Sequence, residues 1–518
     1  MSERPRHLRL VQPGAAASAS ASASASASFT ASPQQEAVYD FIKNGQGHGV
    51  VIARAGTGKT STILGALEHT PPFARVLCCA FNRRIRDELA KRVPNGVKVM
   101  TLHQLGRATM GREQNFRRFT HVDDKDRSMA YVAISNSRFT DKEDDRLLLE
   151  DVVDRIQDGA RLVKATLTTT RAELIKLLKD FELDCSHIDA EELARFVSLA
   201  VNASVAHWPQ TSFDDEIWLP VYYQLGLRSF DVVFVDECQD LTLSQLRLAQ
   251  SALHTDGRII AVGDPAQAIY NWRGADEDAV QRIINELQAT TFPLSVSYRC
   301  PKVVVARARR HVPDFEAAPG APDGTFMKVS LQDMMMMVRP GDFILSRINA
   351  PLAQICLDLV SHKVPARIIG QDVGKRLSAL VKKSKAATIP DLIAWLVEFE
   401  AKERKRLTAE NRERAAQMVT DLVETLQHFA ESEATIPQIM KAIDGLFVED
   451  RRAYVICSTV HRLKGDEANR VFMLEETFFL SRGDPAEEAN IHYVATTRAK
   501  RELYAVMGLY KKKDDESA

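Results

Sequence analysis

Residues 49–62 read GVVIARAGTGKTST. Five apolar residues run into a glycine-containing loop, and a Lys-Thr pair then opens a helical stretch. A short run buried on both faces, a tight loop and a helix form the start of a parallel βα unit, so this segment commits the chain to an α/β fold. The spacing G-x-x-x-x-G-K-(S/T) is met, with Ala53 at the first glycine position. Ala53, Arg54, Ala55, Gly56, Thr57, Gly58, Lys59, Thr60 and Ser61 would form a phosphate cradle. Gly56 and Gly58 let backbone N–H groups approach phosphate oxygens. Lys59 reaches the β- and γ-phosphates, and the Thr60 hydroxyl coordinates Mg²⁺.

A site of this kind needs a second acid at the end of a neighbouring strand. Residues 230–240, FDVVFVDECQD, supply one: Asp236 ends an apolar run, placed to hold Mg²⁺ through water. Glu237 follows it, and a carboxylate there can orient or deprotonate an attacking water. Together the two motifs point to a nucleoside triphosphate hydrolase.

Further apolar runs at 75–80, 97–100 and 258–262 continue the βα rhythm. A second series begins near 342 and recurs at 366–370, 454–458, 470–474 and 502–506. Two α/β domains with parallel sheets are expected, each carrying a helical insertion. The boundaries expected are 32–106 with 226–295 for the first domain and 107–225 for its insertion. The second domain takes 296–378 with 447–510, around a short insertion at 379–446. Residues 1–31, rich in Ala-Ser repeats, read as a disordered tail, and 511–518 as a charged one.

Composition adds mainly exclusions. No apolar run approaches the ~20 residues of a membrane span. Seven cysteines without a C-x-x-C pair speak against a zinc site or a disulfide framework and for a reducing compartment. Net charge is -1, so bulk charge gives no argument for nucleic-acid binding, although a local basic groove suffices for it.

The ordered array is more specific than any one motif. ASPQQEAV (31–38) precedes the cradle; AFNRRIRDEL (80–89) and TLH (101–103) follow two strands. Then come VDECQD, VGDPAQAIYNWRGA and SVSYRCP (295–301). The second half adds FILSRINAP, STVHRLKGDEANRVF (458–472) and EEANIHYVATTRAKREL (487–503). In this order they resemble the superfamily 1 DNA helicases of the UvrD/Rep/PcrA type. The resemblance implies two RecA-like domains with ATP and Mg²⁺ between them and single-stranded DNA across their tops. It also implies 3′ to 5′ movement.

By position, the resemblance implies that Gln34 bonds adenine and Tyr298 stacks on it, and that Glu467 touches the ribose. Gln267 would sense the γ-phosphate, and Arg299 and Arg498 would be arginine fingers. Phe81, Tyr270 and Trp272 would stack on bases, while Thr101, His103, Arg347, Asn349, Thr459 and His461 would make polar DNA contacts. Stacking is worth about 1–3 kcal/mol per base and tolerates any sequence.

The chain also departs from the family pattern. Its first DNA loop reads AFNRRIRDEL where the family has TFTNKAA, and Asp466 stands where leucine is usual. The second insertion is far shorter than the duplex-contacting domain of UvrD and lacks its Gly-Ile-Gly motif. Translocation should survive this loss, whereas efficient unwinding need not. Single-stranded and tailed duplex DNA are therefore the expected partners of a cytoplasmic motor. The alternative is a DNA-activated ATPase that remodels without separating strands, for example beside a nuclease. A non-enzymatic adaptor is disfavoured by the intact set Lys59, Asp236, Glu237, Gln267, Arg299 and Arg498.

Overall fold

A computed structural model describes residues 30–139, 146–184, 187–269, 279–409, 413–446, 454–478 and 484–509. Its centre is two six-stranded sheets in which every pairing is parallel. The first comprises β1 (Gly49–Ala53), β2 (Val76–Ala80), β3 (Lys98–Thr101), β4 (Phe230–Asp236), β5 (Leu253–Gly263) and β6 (Thr290–Leu294). Their order across the sheet is β3-β2-β4-β5-β1-β6. The second comprises β7 (Thr325–Ser330), β8 (Phe343–Ser346), β9 (Ala366–Ile368), β10 (Val455–Thr459), β11 (Ala468–Leu474) and β12 (Ala499–Met507). Their order is β7-β12-β11-β8-β10-β9. The fold is therefore α/β with two RecA-like parallel sheets.

Alternation within the apolar runs explains why the strands lie inside. Successive side chains of a strand face opposite sides. Val50, Leu77, Val233, Val235 and Ala261 pack into one core, while Val51, Val76, Cys78, Phe234 and Val262 pack into another on the opposite face. The second sheet repeats this arrangement. Ile344, Val455, Cys457 and Phe472 face one core; Leu345, Ile456, Val471 and Met473 face the other.

Two strands were not anticipated, β6 and β7, and both are edge strands. Edge strands need no apolar residue on both faces, and Pro293 within β6 is tolerated where one side of the ladder stays unpaired.

The two helical insertions are built differently. Helices Lys125–Ile134, Arg146–Thr166, Arg171–Asp180 and Ala190–Ala206 form a core of their own, around residues such as Ile156, Leu178, Leu193 and Val197. Helices Gln371–Ser384, Ile389–Ala409, Glu413–Ser432 and Ile436–Leu446 instead share the second sheet's core, where Leu377, Leu396, Val423 and Ile439 meet Ile344 and Val455. Helices Leu102–Arg112 and Gln371–Ser384 run without a break through positions 106/107 and 378/379. No helix among the described residues is long and apolar enough to cross a membrane.

Candidate nucleotide and DNA site

β1 ends at Ala53, and the chain turns through Gly56 (φ +70°) and Gly58 (φ +87°) before helix Lys59–Glu68. Both glycines lie in the left-handed region that other residues avoid. Gly56 has a second constraint: a Cβ there would stand 2.5 Å from Arg299 Cβ and 2.7 Å from Ser297 Oγ. The missing side chain admits the 297–299 segment, where the Tyr298 N–H donates to Gly56 O at 2.9 Å. No side chain caps the helix at Gly58, so its first-turn N–H groups have the character of an anion cradle.

β5 lies between β1 and β4, so the ends of all three strands meet at one place. Asp236 ends β4, and Glu237 follows with φ +53°, an uncommon conformation for a non-glycine residue. Lys59 Nζ lies 2.9 Å from each Glu237 carboxylate oxygen, and the Gln239 amide donates to Glu237 Oε2 at 2.6 Å. Burial raises the Asp236 pKa, and the Glu237 charge adds to this. Burial also pushes Glu237 up, but Lys59 and then Lys464 outweigh it and hold that carboxyl below its ordinary range.

This donor set fits ATP with Mg²⁺. Mg²⁺ takes one or two protein oxygens and completes its shell with phosphate and water. Thr60, at the helix start, and Asp236, at the end of β4, supply oxygens of that kind. No cluster of three or more His, Cys, Asp or Glu that could hold a metal alone occurs among the described residues.

Beside the acid pair, the fully buried Asp264 collects several donors. Arg54 Nη1 reaches its Oδ1 at 3.1 Å; the Gln267 amide and the Tyr493 hydroxyl reach Oδ2 at 2.7 and 3.2 Å. Tyr493 also accepts the Ala55 N–H at 2.9 Å. Two further residues grip this segment from the second sheet's side. Lys464 Nζ bonds Asp240 at 2.8 and 2.6 Å and the Gln267 carbonyl at 2.7 Å, and Asn490 Nδ2 donates to Ala268 O at 3.0 Å. Arg54 reaches in the opposite direction, to Asp314 Oδ2 at 3.0 and 3.2 Å.

Tyr493, Lys464 and Asn490 carried no expectation of their own, although each lies inside a motif quoted above. Tyr493 offered one clue, a tyrosine in the run Tyr493-Val494-Ala495 of a packed helix, whose hydroxyl needs a partner once buried.

The remaining nucleotide candidates stand close by, with partners of their own. Gln34 exchanges hydrogen bonds with Ser295, at 2.9 Å to Oγ and 3.0 Å from N. Tyr298 is exposed. Arg299 pairs with Glu467 Oε2, and Lys500 holds Glu467 Oε1 at 2.6 Å. Arg498 is buried, with Nε on Val494 O at 2.9 Å and Nη1 on Asp466 O at 3.2 Å. Burial, reinforced by Arg299, lowers its pKa to about 10.

The DNA candidates collect at the C-terminal ends of the strands, where parallel sheets bind ligands. Phe81 follows β2, Thr101 ends β3, Arg347 follows β8 and Thr459 ends β10, with His461 in the next turn. Several of these side chains are engaged within the protein. Thr101 caps helix Leu102–Arg112 in a reciprocal box with Gln104. Arg347 forms a bidentate pair with Glu488 at 2.9 and 3.2 Å. The Asn349 amide donates to Asp421 Oδ2 at 2.9 Å, and Asp421 also accepts the N–H groups of Asn349 and Ala350. The ring of His103 packs on half-exposed Phe213, with centroids 3.7 Å apart, an aromatic partner that sequence reading overlooked. Burial lowers the His103 pKa to about 4, helped by Arg107 and Arg83. Tyr270 and Trp272 lie outside the described residues.

The sequence is similar to those of known proteins. A family model for the UvrD/REP helicase N-terminal domain matches residues 32–288, and one for the UvrD-like helicase C-terminal domain matches 454–506. The chain is 25% identical over 274 residues to ATP-dependent DNA helicase Rep of Escherichia coli (strain K12), covering 47% of this chain and 37% of that protein. It is 24% identical over 294 residues to DNA helicase II of Rickettsia typhi, covering 50% of this chain and 41% of the relative. It is also 33% identical to DNA helicase II of Escherichia coli (strain K12) over 96 residues, 18% of this chain and 13% of that one. In its longer matches, to Rep and to the Rickettsia protein, the chain spans 37% and 41% of the relative's length.

Proposed function

The chain belongs to the UvrD/Rep helicase family, and from that premise we propose that it is an ATP-dependent motor. It moves 3′ to 5′ along single-stranded DNA and separates strands, in repair, replication or recombination in the cytoplasm. The observation that supports this most directly is the convergence on residues 264–268. Arg54 of the cradle, Gln267 of the same loop, and Tyr493, Lys464 and Asn490 from the second sheet's side all bond there. A change at the cradle therefore reaches a segment that leads directly towards Tyr270 and Trp272.

In this reading Mg²⁺ and ATP supply the cleavable phosphoanhydride and offset its charge. Lys59 and Thr60 bind the phosphate end, with Asp236 opposite. Glu237 accepts a proton from the attacking water at its carboxylate. Arg299 and Arg498 bring positive charge from beyond the cradle, which makes turnover depend on how the two sheets approach one another. Gln34, Tyr298 and Glu467 position the nucleoside, and Gln267 responds to the terminal phosphate. Phe81, Tyr270 and Trp272 stack bases, while Thr101, His103, Arg347, Asn349, Thr459 and His461 line the track.

Strand displacement on duplexes with a 3′ or a 5′ single-stranded tail tests the proposal. Unwinding from the 3′ tail is expected, and unwinding only from the 5′ tail rejects the polarity. A second reading, a DNA-stimulated ATPase that does not separate strands, draws on the short 379–446 segment and its fusion to the second sheet's core. Stimulated turnover without displacement on either substrate would favour it.

A further inference from the structure

Residues 463–467, Leu-Lys-Gly-Asp-Glu, lead into β11 through a turn held by charge more than by packing. Leu463 is buried, but Gly465 (φ +92°) is exposed, and a Cβ there would meet no atom within 4 Å. On one side of the glycine, Lys464 grips Asp240 and the Gln267 carbonyl. On the other, Asp466 Oδ1 accepts Arg84 Nη1 at 2.9 Å. Arg84 lies in helix Arg83–Ala90, which follows β2, Phe81 and the cap Asn82. Two ion pairs of opposite polarity thus tie this turn of the second sheet to the first. One lies on the phosphate side, the other beside the proposed DNA loop.

The same turn occupies both arginines that the proposed mechanism needs. The Asp466 carbonyl accepts Arg498 Nη1 at 3.2 Å, and the Glu467 carboxylate pairs with Arg299. Arg498 directs its other donors to Val494 O and Thr497 Oγ1. Neither guanidinium can turn fully to a terminal phosphate while these bonds hold. The carboxylate and carbonyl of Asp466 share one Cα, so whatever fixes the carboxylate also fixes the acceptor of Arg498. The Arg84 side chain is 72% exposed and that of Asp466 13%. A pair with one partner so exposed adds little to stability. The Arg84 guanidinium, with its five N–H donors, is open to a strand phosphate arriving at Phe81.

We infer that Asp466 is a positioning residue for the two arginines, and that Arg84 pins it in a restraining position until a single-strand phosphate draws Arg84 away. A ligand shifts such an equilibrium only if it prefers one of the two arrangements. A strand phosphate does, because it competes with the Asp466 carboxylate for the same guanidinium. With Arg84 withdrawn, the turn pivots on Lys464 and releases Arg498 and Arg299 toward the nucleotide. Asp466 stands where leucine is usual in the family, and leucine offers Arg84 no acceptor. The pin therefore belongs to this chain's own departure from the pattern. The inference rests on the DNA-motor reading and adds to it a contact that restrains turnover before DNA is bound.

The test measures ATP turnover of the full chain at saturating ATP and Mg²⁺, with and without an oligo-dT single strand. It compares wild type, Asp466→Leu, Arg84→Ala and the double variant. Without DNA, each single variant should turn over about two- to fivefold faster than wild type, the extent to which a partly exposed ion pair can restrain a step. A weakened fold lowers turnover, so a gain separates a pin from a structural contact. The double variant should gain no more than either single one, since both break the same pair. At saturating oligo-dT, Asp466→Leu should keep the wild-type rate. Its oligo-dT affinity, read by fluorescence anisotropy, should rise, because Asp466 no longer competes for Arg84. Unchanged or lower affinity overturns that competition and the inference with it. Unchanged or slower DNA-free turnover in either single variant also overturns it. If the melting curve shows that Asp466→Leu does not fold, Arg84→Ala and Arg84→Glu, at an exposed position, decide by the same criterion. Wild-type turnover that oligo-dT does not stimulate sinks the motor reading instead, and the DNA-free rates alone then decide whether Arg84 and Asp466 restrain the arginines.

Discussion

The ammonium group of Lys59 lies 2.9 Å from both carboxylate oxygens of Glu237. The lysine expected to hold the phosphates is thus paired with the acid expected to activate water. In the proposed mechanism, incoming phosphates would draw Lys59 away, which would free Glu237 for proton transfer only when the nucleotide is in place.

Glu237→Gln should therefore separate binding from turnover. Loss of the ion pair frees Lys59, so nucleotide affinity should rise several-fold. Turnover should fall by a factor of about 10² or more, since general base catalysis typically contributes 10²–10⁴-fold. Equilibrium titration with a fluorescent ATP analogue and a steady-state ATPase assay measure the two effects. Weaker binding together with slower turnover would contradict the competition.

The Tyr493 hydroxyl bridges the Ala55 N–H and Asp264. Tyr493→Phe leaves both groups buried with one partner fewer, at a cost of about 1–3 kcal/mol. The KM for ATP should rise and the melting temperature should fall. Unchanged values for both would show that the bridge contributes nothing.

Arg54 connects buried Asp264 with exposed Asp314, which precedes a short strand at Glu316–Ala317. Asp314→Lys should raise the KM for ATP by repelling Arg54, while in an Arg54→Gln background the same change should have little further effect. A double-mutant cycle gives this coupling directly. Strictly additive effects would mean that Arg54 and Asp314 act independently.

His103 is held neutral because burial, with help from Arg107 and Arg83, lowers its pKa to about 4. The unfolded chain binds a proton below about pH 6.5 that the folded chain refuses until about pH 4. Stability should therefore fall as pH drops through this window, by up to about 3 kcal/mol. His103→Gln should flatten the dependence in denaturant titrations at pH 7 and pH 5. An identical pH profile for the two proteins would show that His103 is not the responsible group.

Residue order alone made the central strands legible, because β1, β2, β4 and β5 are apolar on both faces. It also made the cradle and the acid pair legible, since both depend on neighbours in the chain: glycines in a loop, and an Asp-Glu pair ending a strand. Edge strands β6 and β7 escaped notice because a half-exposed strand leaves a weaker pattern.

What the tertiary structure decided is how distant side chains share partners. Sequence reading placed Gln267, Arg54 and Tyr493 in separate motifs, and only the fold brings all three to one carboxylate, Asp264. Likewise, nothing local in the chain marked Asp421 as the residue that engages the Asn349 amide, or Phe213 as the ring beneath His103. Such pairings depend on where parallel strands end and helices return, a property of chain topology that periodicity and motif spacing do not carry. The order of residues thus specified which chemical groups this protein has, and packing determined which of them meet.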